Sequence, residues 1–321
     1  MNQIFGRLGL ATCVLTLMCF GLMRVNAQTA VTPTVSASQS SKLDCSNLPC
    51  FWNNSCKYRC EIQLAKKYAI YAIASCNAYQ TNDSQNPKII PFPKSEHWLL
   101  CTNRANTNNG FYAELWQRTK SNGTKEIIVA YRGTENSPKW WKDWGYGNCS
   151  IVGSWSLLPP FYLAPSQYQE ALAFARSAQQ RYPGSRIVFT GHSLGGGLAE
   201  YVQGSVSNSE AVVFDSSPNT GFIRSGFHCH FQRQVTRLFE KGEILMWFRR
   251  VFAHNKVINC CAQPPVGARW FDFYRGNPIG QHSMAGFALN LIKLAALHGD
   301  KDMEEVRMAI CSANENQKEQ Q

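Results

Sequence analysis

The segment "RIVFTGHSLGGGLAEYV", Arg186 to Val202, decides how the rest of the chain is read. Its apolar run Ile187-Val188-Phe189 reaches Thr190 and then meets Gly191-His192-Ser193-Leu194-Gly195 and two further glycines. The alanine and valine that follow suit a helix. A strand, a sharp turn and a helix in that order, with one serine at the turn flanked by glycines, form a nucleophile elbow. A serine on such a turn needs small residues two positions before and after it, because the backbone doubles back on itself. The helix behind it aims its first N–H groups and its dipole at the serine. The Leu194 amide is therefore placed to bind an oxyanion. A phosphate-binding loop is excluded, since no lysine follows the glycines.

Outward from this point, apolar segments alternate with helical ones. Glu61 to Ser75 carries apolar residues at helical spacing, and so do Gln167 to Tyr182 and His282 to His298. Gly110 to Arg118, Glu126 to Tyr131, Arg186 to Thr190, Ala211 to Phe214 and Gln234 to Phe239 read as strands. This order predicts an α/β fold, a mainly parallel sheet with helices on both faces. The 321 residues, 44% apolar and 12% aromatic, supply ample core.

The N-terminus reads as targeting sequence. Met1 to Ala27 has a cation at Arg7, an apolar run from Leu8 to Met23 and a small-residue cleavage site at Val25-Asn26-Ala27, as a secretory signal peptide does. Residues 28–42 are a Ser/Thr-rich linker, 43–60 a short Cys-rich arm, and 61–321 the hydrolase domain. Export implies an oxidising compartment, so the 11 cysteines outside the signal are expected mainly in disulfides, with at least one left over. The spacing of Cys45, Cys50, Cys56 and Cys60 is not the short paired kind that zinc favours. Net charge is +11, or +9 without Arg7 and Arg24 (30 cations against 21 anions). The cations are scattered, which excludes a nucleic-acid stripe. They fit either an anionic lipid surface or an ordinary solvated one.

Together, "TGHSLGGGLAEYV" (Thr190 to Val202) and "VAYRGTE" (Val129 to Glu135) resemble the class 3, fungal-type lipases of the α/β-hydrolase superfamily. The resemblance implies that Thr134 supplies a second oxyanion-hole donor beside Leu194. It also implies a lid near "WKDW" (Trp141 to Trp144); the stretch from Asp143 to Pro160 is rich enough in Trp, Leu and Ile to meet a lipid interface or to pack on the core. The serine needs a base, and the base an acid to hold its tautomer. In this fold the acid and then the histidine follow the serine. His282 is the base expected, following the turn-rich Gly276 to Gly280 at the start of the last helical segment; His228, His230, His254 and His298 are its rivals. Glu243 is the acid expected, occupying the place of the family's aspartate. Asp215, at the end of the strand after the serine helix, and Glu240 are alternatives.

The reading is a secreted serine hydrolase that cleaves carboxylic esters of lipids, triacylglycerol lipase-like, using Ser193, His282 and Glu243 with no metal or cofactor. A phospholipase A acting on membranes is the alternative. A binding protein on a decayed hydrolase scaffold is a third reading, raised by the departure from aspartate at the acid position.

Overall fold

Alternation along three neighbouring strands determines how the molecule is layered. In the computed structural model, which describes residues 54–79, 90–106, 109–133, 167–217, 234–246, 268–274 and 276–319, strand β3 (Lys125–Tyr131) turns Ile127, Val129 and Tyr131 to one face and Ile128 and Ala130 to the other. Strands β4 (Arg186–His192) and β5 (Ser209–Phe214) repeat the pattern: Ile187, Phe189, Ala211 and Val213 on the first face, Val188, Val212 and Phe214 on the second. All are buried, as expected of central parallel strands covered on both sides.

Among the described residues the sheet has seven strands in chain order. Strands β1 (Leu99–Asn106), β2 (Phe111–Thr119) and β3 pair antiparallel. From β3 through β4 and β5 to β6 (Val235–Glu240) and β7 (Ala268–Phe271) the pairing is parallel. Helices α2 (Gln167–Arg181) and α3 (Leu194–Ser205) cover the first face through Tyr168, Phe174, Leu198 and Val202. Helices α1 (Asn54–Asn77) and α5 (Met284–Leu297) cover the second through Tyr71, Ile73, Phe287 and Leu291. A short α4 (Pro278–Gln281) precedes α5, and α6 (Lys301–Glu319) follows it.

Two expectations are corrected. Residues 54–60, assigned to the Cys-rich arm, are the first turns of α1, since no glycine or proline interrupts the run to Asn77. Next, the helix expected from His282 to His298 begins at Met284, with His282 in the joint before it. Among the described residues, Cys76, Cys101 and Cys311 carry free thiols, while Cys45, Cys50, Cys149, Cys229, Cys260 and Cys261, part of the expected disulfide set, lie outside them. Burial pushes the Cys76 thiol up to about 12, because a thiolate there would lose its water. The signal peptide, the linker, the arm up to residue 53, Thr134, the Trp-rich segment, His228, His230 and His254 lie outside the described residues.

The N-terminal ends of β3 and β4 are tied by charge. Glu126, buried, lies against Arg118, Lys120, Arg186 and the Tyr71 hydroxyl. Burial alone would raise its carboxyl, but the cations outweigh that and hold it below its ordinary value. Behind the elbow helix, Arg237 of β6 makes a two-pronged bond to Glu200 of α3, Nε to Oε1 at 2.9 Å and Nη2 to Oε2 at 2.5 Å, with both side chains buried. Ser216 Oγ donates to the same carboxylate at 2.7 Å. These bonds lock α3 to the end of the sheet where the site lies.

Candidate active site

Ser193 stands between β4 and α3 with φ 56° and ψ −125°, a conformation L residues rarely adopt. The turn is held from both sides. The Ser193 amide donates to Phe214 O at 3.1 Å, while Ser193 O accepts from Gly197 N at 3.2 Å and Ser217 N at 2.9 Å. Glycine is required on either side of it: a Cβ at Gly191 would lie 2.5 Å from Gly195 O and 2.8 Å from Tyr131 O. Leu194 begins α3, so its amide belongs to the helix's first turn, where N–H groups have no helical acceptor. Gly133, immediately before Thr134, packs on the elbow closely enough that a Cβ there would sit 3.3 Å from Ser193 Cβ. The end of β3 and the elbow thus meet at Gly133.

His282 and Glu243 come from two joints that are stitched together. The Gln281 side-chain amide donates to Lys241 O at 3.2 Å and Tyr274 O at 2.7 Å, and Ile244 N donates to Pro278 O at 3.1 Å. Ser283, next to His282, caps α5 by accepting from Gly286 N at 3.2 Å. His282 Nδ1 lies 2.8 Å from Glu243 Oε2, the carboxylate fully buried and the imidazole 15% exposed. The distance suits a hydrogen bond, although the ring is not turned to make a straight one. Such bonds often straighten only with substrate bound. The same Oε2 accepts from Leu245 N at 2.7 Å, which fixes the carboxylate.

A second carboxylate is close by. Asp215, fully buried, accepts from Glu240 N through Oδ1 at 2.7 Å. Asp215, His192 and His282 each offer a donor atom, and the three atoms lie within 4.8 Å of one another. The His192 ring packs on that of His282, centroids 4.5 Å apart, and its Nδ1 is 2.9 Å from Tyr79 Oη. Burial pushes the Tyr79 phenol above its ordinary value, so it stays protonated.

The structure therefore groups His282 with Glu243 and, less closely, with Asp215. Glu240, the third candidate acid, turns elsewhere: its Oε1 accepts from Phe273 N at 2.9 Å and Tyr274 N at 3.1 Å. Burial raises its carboxyl to about 7, with Asp272 and Glu61 adding to the rise against those two amides. His298 is far along α5 and bonds to Tyr58 Oη at 3.0 Å. Sequence reasoning missed Tyr79, which lies past the helical spacing that ends at Ser75, and it gave His192 no functional role.

An elbow serine on a largely parallel sheet, with helices on both faces and a histidine–carboxylate pair at the strand ends, defines an α/β-hydrolase. A family model described as phospholipase-like, the Tle-like phospholipase domain, matches residues 71–225, which include the whole elbow. Over those residues the chain is similar to a phospholipase-like domain, in keeping with its α/β-hydrolase fold. Among solved structures it is similar to a lipase from Rhizopus microsporus var. chinensis (17% identity, 57% of this chain and 68% of that one, TM-score 0.37). It is similar also to a Yarrowia lipolytica lipase (16%, 57% and 73%, TM-score 0.36) and to the Rhizomucor miehei lipase in a propeptide complex (15%, 72% and 78%, TM-score 0.40). No curated protein matches the chain.

Proposed function

We propose that the protein hydrolyses the acyl esters of phospholipids through an acyl-enzyme formed on Ser193, with His282 as base and Glu243 as the residue that orients it. The observation that carries this reading is the 2.8 Å approach of Glu243 Oε2 to His282 Nδ1 at the strand ends where the strained Ser193 turn also lies. His282 takes the Ser193 hydroxyl proton as Oγ attacks the ester carbonyl. The Leu194 amide, with Thr134 from the adjacent segment, stabilises the tetrahedral oxyanion. The imidazolium then returns its proton to the departing alkoxide. Water, deprotonated by the same histidine, releases the fatty acid and restores Ser193. Glutamate in place of aspartate is accommodated because the Leu245 amide holds its carboxylate against the histidine.

Phospholipid is favoured over triacylglycerol by the description of the matching family model and by the net charge, +9 without Arg7 and Arg24 of the signal-like segment, which draws the protein to anionic headgroups. The signal-like N-terminus supports export, and the Trp-rich residues after Asp143 are the segment that would meet a lipid interface. Fatty-acid release from phosphatidylglycerol vesicles and from emulsified triacylglycerol, measured side by side, tests the substrate class. Faster release from the vesicles is expected; release from the emulsion alone would make the protein a triacylglycerol lipase.

A further inference from the structure

We propose that Asp215 is a second carboxylate of this site, a positioning residue that acts on His282 together with Glu243; the inference rests on His282 being the base. Its backbone carries the first indication. Asp215 has φ 41°, in the left-handed region, where glycine is the unstrained choice. It is also fully buried, so it carries a desolvation cost that a residue needed only to turn the chain would avoid. Strain and burial combined on an ionisable residue point to a role for its charge.

The surroundings show what that role is. The Asp215 amide donates to Leu238 O at 2.9 Å, and its Oδ1 accepts from Glu240 N at 2.7 Å, so the carboxylate is anchored to the end of β6. Donor atoms of Asp215, His192 and His282 lie within 4.8 Å of one another. When His282 takes the Ser193 proton, a positive charge forms on a ring packed 4.5 Å from a second imidazole. Glu243 meets that charge at Nδ1. Asp215 meets it from the end of β5, between the elbow and β6, and His192, held by Tyr79, packs on the His282 ring. Of the remaining ionisable groups nearby, Glu240 is turned to the Phe273 and Tyr274 amides and Lys241 pairs with Asp272 at 3.6 Å. Every proton transfer in the cycle runs through His282, and Asp215 takes no part in one.

Asp215→Asn separates charge from shape, since asparagine has the same size and tolerates positive φ. Profiles of kcat/KM against pH for the wild type and this variant, on one phospholipid, are the test. Removing a negative charge at this range makes an imidazolium harder to form, so the acid limb should move to lower pH by about half a unit or more. At the optimum, kcat should fall about tenfold with KM within about twofold. Asp215→Gly, which relieves the backbone, should show the same displacement and serves if the asparagine variant does not fold. An unmoved acid limb, whatever happens to kcat, would make Asp215 a turn residue only and overturn the inference. Failure of the underlying reading looks different: the wild type itself would resist fluorophosphonate labelling at Ser193.

Discussion

Replacing Ser193 with glycine should make the protein more stable as well as inactive. With φ 56° and ψ −125°, Ser193 is held where a side chain is penalised. Relief of that conformation is worth about 1–2 kcal/mol. Glycine's greater freedom in the unfolded chain takes back about 0.5–1 kcal/mol. The difference leaves Ser193→Gly about 1 kcal/mol more stable, which for a domain of this size is a rise in Tm of about 2–4 °C. Ser193→Ala is the control: it removes the hydroxyl but keeps a Cβ at the same φ, so its Tm should stay within about 1 °C of wild type. Differential scanning calorimetry on the three proteins reads the effect directly. If the glycine variant is no more stable than the alanine variant, Ser193 is not strained and the elbow reading loses its physical basis.

Other expectations follow from the same contacts. Glu243→Gln should lower kcat by about 10²–10⁴-fold in a fatty-acid release assay while leaving fluorophosphonate-reactive serine present, because the histidine loses its orienting charge. Glu240→Gln should raise Tm at pH 8 and make little difference at pH 5. The Glu240 carboxyl titrates at about 7 when folded, above its unfolded value, so the wild type loses stability as pH rises through that range and the glutamine variant does not. Arg237→Met leaves the buried Glu200 carboxylate without its cation and should cost about 3–5 kcal/mol in urea unfolding. Cys76 should resist a thiol-specific reagent in the native protein and react on unfolding, whereas Cys311, exposed on α6, should react at once.

The parts of the fold legible in the sequence are those where burial imposes a period. "EIIVAY" and "RIVF" are buried on both faces and so read as unbroken apolar runs, and α2 and α5 show helical spacing. Strand β1, "LLCTNRAN", was not legible, because it is an edge strand with Leu99 and Leu100 exposed and its register shifts between Leu100 and Thr102. Strand β7 has four residues, too few for any period, and α6 buries Met303 and Val306 on an otherwise polar helix. In the site, Ser193 was legible because an elbow constrains its neighbours in sequence. Histidine and acid are constrained only in space, so chain order narrowed them to a few candidates without choosing. Glu240 and Glu243 are three residues apart, yet one faces the Phe273 amide and the other His282. Nothing local in the sequence records that the end of α1 brings Tyr79 against His192, or that Asp215 shares the space of both histidines.

The central claim is that Ser193 is an activated nucleophile. Intact-mass measurement after treatment with a fluorophosphonate tests it most directly, with peptide mapping of the adduct. One adduct per chain is expected, on Ser193, with ester hydrolysis lost in proportion and no adduct in Ser193→Ala. No adduct on the wild type, or an adduct that persists in Ser193→Ala, would contradict it.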